Sequence, residues 1–285
     1  MDGHMLINRL AGQSLPEDIP AFLRSPAAID ALEYYGPEPD RWRSTAEPEL
    51  NAAQAPEHFI DLEYADLAGP LPRRRYDYIR ALAVAQAKHP ELAASLTPEK
   101  VGLQPYVTTE VYERLQSAFR DYRALVAAKK DTKPSECEIT FLAGWLGHYV
   151  GDGSMPLHTT IQYNGWVGPN PNGYTTEHHI HALFETDFVH ANVKAADVAP
   201  LVAAAKPAVL GDVFNGYMAY LRHSNSLVER TYQLEKTGAF IGVGTPAGKA
   251  FVDRQLAAGA IELRNMIYTA WVKSAEPLPP YRPNH

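Results

Sequence analysis

Cys137 is the only cysteine in 285 residues. A disulfide-stapled fold is excluded, while the redox compartment stays undecided. Long apolar runs are also missing, since no stretch approaches the roughly 20 residues of a membrane-spanning helix. Basic excess is missing too: 26 Lys and Arg against 33 Asp and Glu leave a formal charge of −7. That balance argues against a protein held to nucleic acid by a wide basic surface. No alternating apolar–polar run of useful strand length occurs, no glycine-rich phosphate loop, and no internal repeat. Met1, Asp2 and Gly3 supply neither a basic n-region nor an apolar h-region, so no signal peptide is expected in the chain as written.

What remains is helical periodicity. Residues 4–13 read as a short amphipathic helix. Ser14-Leu15-Pro16-Glu17 reads as a capping box opening a second helix through Leu23, and Ser25-Pro26 starts a third that ends at Gly36-Pro37. Residues 36–57, rich in Pro, Glu and Asn, read as loop. Further helices are expected at about 73–88, 108–130, 134–153, 176–191, 212–236 and 246–273, with Thr108, Thr176 and Thr245 as N-caps. One all-α domain over 1–276 follows, with 277–285 as a tail and the long helices after about 195 as scaffold.

Polar chemistry concentrates in one apolar stretch, FLAGWLGHYVGDGSMPLH, followed after a Gly/Pro/Asn-rich loop by TTEHHIHALFE. His148 with Asp152, and His181 with Glu185, are i,i+4 pairs that share a helix face, and His158 lies between them. A lone His-x-x-x-Asp is more often a surface ion pair. Two such pairs, set among Leu142, Leu146, Val150, Ile180 and Phe184, need a shared reason to be buried, and a divalent metal supplies one. A di-iron carboxylate bundle would need Glu-x-x-His on two helices, and no second such pair stands out.

GHYVGDGSMPLH resembles the H-x3-D-x5-H core of the zinc-dependent phospholipase C and single-strand nuclease superfamily, the S-one/P-one type. Four further segments fall in that family's order: Gly3-His4 with Ile7 to Ala11, Asp40-Arg41-Trp42-Arg43 as its D-x-x-R, His58-Phe59-Ile60-Asp61 as its H-x-x-D, and His181 to Glu185 as its H-x3-D/E. The resemblance implies an all-α fold around a buried zinc cluster. Asp40, His58, His148 and Asp152 would hold one zinc. His158, His181 and Glu185 would hold a second. His4 and the other oxygen of Asp152 would hold a third, completed by a terminal amine. Zinc there would activate water and clamp phosphoryl oxygens.

The same resemblance gives Asp61 the orientation of the nucleophile, Arg43 the scissile phosphate, and Phe59 a substrate base to stack on. The alternatives are a partner for a ligating histidine, a loop ion pair and a core aromatic. The chain departs from the nuclease pattern in three ways. Only three residues precede His4, Met155 stands where the nucleases favour Gln, and the last ligand is Glu, as in the phospholipase branch.

The implied activity is zinc-dependent phosphodiester hydrolysis, first of single-stranded nucleic acid or 3′-nucleotides. A phospholipase C acting on phospholipids is the second reading, and a non-catalytic zinc-binding protein the third. Three zincs are expected with the family's terminus and two in the chain as written. The family implies a secreted or periplasmic protein, and Met1 is then expected to be an internal methionine of a longer reading frame.

Overall fold

The computed structural model describes residues 1–278. In chain order its helices are α1 Asp2–Gln13, α2 Pro26–Tyr35, α3 Glu38–Trp42, α4 Pro48–Gln54, α5 Leu62–Ala65, α6 Arg75–Lys88, α7 Pro98–Val101 and α8 Gln104–Ala127. There follow α9 Lys133–Ser154, α10 Ile180–Ala182, α11 Phe188–Asn192, α12 Ala195–Ala204, α13 Val213–Asn225, α14 Val228–Lys236 and α15 Pro246–Lys273. Among the described residues there is no strand, only the isolated bridges Ile60–Gly102 and Tyr163–Gly165. The protein is all-α. Residues 279–285, most of the expected tail, lie outside the described range.

Two of the read start signals act as capping chemistry requires. The Ser25 hydroxyl accepts the Ala28 N–H at 3.2 Å with Pro26 in the first turn. The Thr245 hydroxyl accepts the Gly248 N–H at 3.1 Å with Pro246 following. Both satisfy donors that a helix start leaves free.

Elsewhere the local signals lost to their neighbours. Ser14 does not open a helix; it closes α1, its hydroxyl donating to the Ala11 carbonyl at 3.1 Å. Pro16 and Pro20 disfavour helical backbone in the residues before them, and only a 3₁₀ turn forms at Ala21–Arg24. Residues 36–57, expected as loop, instead carry α3, α4 and a 3₁₀ turn at Ala55–His58, with prolines at their first turns. Thr108 is interior to α8, and its hydroxyl donates back to the Gln104 carbonyl at 2.7 Å. Thr176 precedes an irregular stretch, so the expected helix 176–191 is shortened and broken. The stretch 212–236 is two helices, and α12 was not anticipated.

Helix α9 is the axis of the packing, buried from Leu142 to Ser154 except at Trp145. Helices α1, α2, α8 and α15 lie against it. Gly147 sits where α1 crosses: a Cβ there would lie 1.9 Å from Asn8 Oδ1. A glycine inside a helix costs about 1 kcal/mol, and here it permits the close approach of α1. Asn8 is fully buried, and its amide donates to the carbonyls of Leu32 at 2.8 Å and Gly144 at 2.9 Å, joining three helices. In the second half, buried Arg264 donates to the carbonyls of Ala205 at 2.9 Å and Lys206 at 3.1 Å, closing the end of α12.

Asn8→Ala removes both bonds and leaves a void between α1 and α9. The expected loss is about 2–3 kcal/mol of unfolding free energy, read by denaturant titration. A variant as stable as the parent would show that these bonds do not hold the three helices together.

Candidate metal centre

Helix α9 presents His148 and Asp152 one turn apart on its buried face, with His148 Nε2 3.3 Å from Asp152 Oδ2. The His148 ring is fixed from behind, its Nδ1 lying 2.9 Å from the Gly36 carbonyl. That contact requires a proton on Nδ1, so Nε2 carries the lone pair that faces the cluster. His158 repeats the arrangement on the 3₁₀ turn Pro156–Thr159, with Nδ1 2.8 Å from the His58 carbonyl. His181 does so on α10, with Nδ1 3.2 Å from the Tyr163 carbonyl. Three imidazoles are thereby held with Nε2 free to ligate.

The segment His58–Asp61 leaves the 3₁₀ turn at His58, runs extended from Phe59, and is pinned on both sides. Its Ile60 N–H donates to the His158 carbonyl at 3.0 Å, and its Asp61 N–H to the Val101 carbonyl at 2.8 Å. Gly102, at φ 92°, makes this possible: a Cβ there would fall 2.1 Å from the Phe59 carbonyl oxygen. Thus His58 Nδ1 reaches Asp152 Oδ2 at 3.1 Å and His148 Nε2 at 2.9 Å, with Asp40 Oδ1 3.9 Å away on α3.

The other oxygen of Asp152 looks the opposite way. Its Oδ1 is 3.3 Å from His4 Nε2 and 3.8 Å from His158 Nε2. Glu185 splits similarly, with Oε2 3.0 Å from His181 Nε2 and 3.5 Å from His158 Nε2, and Oε1 3.7 Å from His4 Nε2. Glu185 belongs to a π-turn, Leu183–Asp187, between α10 and α11. Such a turn inserts one residue into the helical repeat and is frequent where a helix meets a functional site.

The donor set fits a divalent metal. Four ligands at about 2.0 Å in a tetrahedron stand roughly 3.3 Å from one another. The spacings around Asp152 Oδ2 and around Glu185 bracket that value. Three groups could each hold an ion: His4, His148 and Asp152; Asp40, His58 and His148; and His158, His181 and Glu185. His4 Nδ1 and His58 Nε2 are buried without a hydrogen-bond partner among the described residues. Each imidazole therefore has its cluster-facing nitrogen as its polar contact. All eight side chains read from the sequence as ligands are brought together here.

Metal-free, the cluster must balance its charge with protons. Burial pulls the His158 imidazole down, but Asp152 and Glu185 carry it up to about 9. Burial likewise opposes the charge on His4, and Glu185 and Asp152 more than offset this. Burial, with the positive charge of His4 beside it, drives His148 well below the ordinary histidine range. Burial works against the charge on Asp152, yet His148 and His158 hold it below the usual carboxylate range. These protons occupy positions that a cation would take.

Beside the cluster lies a cavity of about 640 Å³, lined by Arg43, Phe59 and Asp61 together with His58, His158 and His181. A second recess of about 610 Å³ lies at Asp40 and Glu185 and shares Arg43. Phe59 is half-buried and faces the first cavity, and Arg43 is exposed. Asp61 is buried there, and loss of hydration, with Glu63 nearby, pushes its carboxyl up to about 7. Tyr64, Tyr163 and Asn164 also line this cavity and were not picked out from the sequence, because no spacing rule marks a side chain as a cavity wall.

Metal-stripped protein mixed with zinc at pH 7 is expected to release protons, because His158 and His4 must lose theirs to ligate. Zinc affinity therefore rises with pH up to about 9, the value at which His158 is half-deprotonated. Weakly buffered calorimetry reads both, and affinity independent of pH would exclude these histidines. His148→Ala should lose bound metal, and chelation should lower Tm, since ions held only by the folded state favour it.

No family model matches the chain, and no curated protein or solved structure matches it either.

Proposed function

We propose that this chain is a zinc-dependent phosphodiester hydrolase acting on single-stranded nucleic acid or nucleotides, in the manner of the single-strand nucleases and 3′-nucleotidases it resembles in sequence. One observation carries the reading. Five imidazoles and three carboxylates converge on one buried locus, beside a cavity that offers a guanidinium, an aromatic ring and a carboxyl with a raised pKa. Zinc bound there would supply Lewis acidity and an activated water, the chemistry that phosphoryl transfer to water requires.

The chain's own side chains account for the rest. Arg43 is a planar fork matched to two oxygens of a phosphodiester, and its place on the rim lets it hold that group against the histidines. Phe59 offers a ring face to an unpaired base, worth about 1–3 kcal/mol where such stacking has been measured. Asp61, with a pKa near neutrality, accepts a proton from the attacking water at its carboxylate and holds it while the phosphorus centre inverts.

The phospholipase C reading draws on Glu185 as the last ligand and on Tyr163 and Val167, which stand 53% and 57% exposed in the wall of the same cavity. Either substrate presents a phosphodiester to the same groups. No helix among the described residues is long and apolar enough to cross a membrane. A non-catalytic zinc protein would not need Asp61 desolvated beside the cluster.

Two measurements test this. Side-by-side assays on single-stranded DNA, RNA, a 3′-nucleotide and phosphatidylcholine should give turnover on the first three. Turnover on phosphatidylcholine alone would select the lipase, and none on any would leave the non-catalytic reading. Asp61→Asn keeps the shape and removes the base, so it should retain zinc while kcat falls by about 10²–10⁴. Full turnover in that variant would refute the role given to Asp61.

A further inference from the structure

Outside the cavity, one surface carries a continuous run of exposed and half-buried rings. Five aromatic rings form an unbroken ladder on the face built by α2, α3 and α9. Tyr34 meets Tyr35 at 5.5 Å between ring centres, Tyr35 meets Phe141 at 5.3 Å, Phe141 meets Trp145 at 6.0 Å, and Trp145 meets Trp42 at 5.3 Å. None of the five is buried, and Tyr34 is 57% exposed. Phe141 and Trp145 also pack against the core, and Tyr34, Tyr35 and Trp42 continue the run of rings from them.

Guanidinium groups interleave with the rings. Arg41 lies over Tyr34 at 4.3 Å and Arg114 over Trp145 at 5.9 Å. Trp42, at one end of the ladder, immediately precedes Arg43, which lines the cavity beside the histidines, and follows Asp40 by two residues. The ladder therefore ends one residue along the chain from a side chain that lines the cavity.

We propose that this aromatic–arginine ladder is an extended subsite that carries the flanking nucleotides of a single-stranded nucleic acid. The inference rests on the nuclease reading of the metal centre and names how a longer strand is held there. Two features favour this occupant. Rings interleaved with guanidiniums suit alternating bases and phosphates, since every base has a stacking face and every linkage a negative charge. Arg41 is ion-paired with Glu38, while Arg43 and Arg114 make no ion pair among the described residues, so two free guanidiniums beside the rings are complementary to a polyanion in a chain of net charge −7. A membrane-inserting surface would instead project bulky apolar side chains. Here four of the five rings are half-buried.

Holoenzyme is titrated with a long oligothymidylate phosphorothioate, its dinucleotide, and vesicles of phosphatidylcholine with phosphatidylserine. The readouts are Trp fluorescence and anisotropy. The long strand should bind about tenfold tighter than the dinucleotide, the gain expected from one or two added stacked bases, and should quench Trp42 and Trp145. Arg114→Gln, at an exposed position that folding does not need, and Trp145→Phe should each reduce that length advantage.

Equal affinity for both lengths overturns the proposal, as does an advantage that both variants retain, or binding to vesicles and not to the strand. Failure of the catalytic reading looks different. A protein that binds the long strand through these residues and hydrolyses no phosphodiester keeps the ladder and loses the nuclease. One that hydrolyses the dinucleotide with no length advantage keeps the nuclease and loses the ladder.

Discussion

A carboxylate removed from water is the constraint on which the rest of this structure turns. Asp152 is 1% exposed, and an ionised carboxyl so buried is tolerated only when surrounded by positive charge and donors. Its two oxygens face two sets of imidazoles, His58 with His148 on one side and His4 with His158 on the other. Each of those histidines comes from a different element, so α1, the 3₁₀ turn ending at His58, α9 and the 156–159 turn must all meet at one point. The close seat of α1 on α9 at Gly147, and the seat of residues 58–61 at Gly102, follow from that requirement.

Much of the architecture could be read from the chain. Helical periodicity located α1, α2, α6, α8, α9 and α15, and side-chain caps at Ser25 and Thr245 fixed two starts. Two of the errors share a cause. Ser14 and Thr108 are residues of cap type, but a hydroxyl can bond backward as readily as forward. Whether it does depends on which carbonyl tertiary packing leaves within reach. Residues 36–57 look like loop by composition, yet their prolines stand at first turns, where a missing N–H costs nothing.

The side chains that converge on the candidate centre were legible for a different reason. Ligation needs particular residue types at particular spacings, and His148 with Asp152, or His181 with Glu185, carry both. What sequence could not supply was the backing. The carbonyls of Gly36, His58 and Tyr163 that fix three imidazoles are main-chain atoms, which no residue type announces. The π-turn at Glu185 was likewise invisible, since one inserted residue leaves an i,i+4 pattern unchanged. The ladder from Tyr34 to Trp42 joins three elements, and only their packing makes it continuous.

The cluster also sets a timetable for the chain. His4 belongs to the first helix and Glu185 lies far downstream, with Asp40, His58, His148 and His158 between them. Contacts between such distant residues form late, because the intervening loops must close first. A nascent or partly folded chain thus presents scattered imidazoles, which bind cations weakly and without selection. The assembled locus exists only once α1 has docked on α9. A metal taken up there would in this sense report completed folding, and a chain stalled before that step would be the form most exposed to taking up the wrong ion.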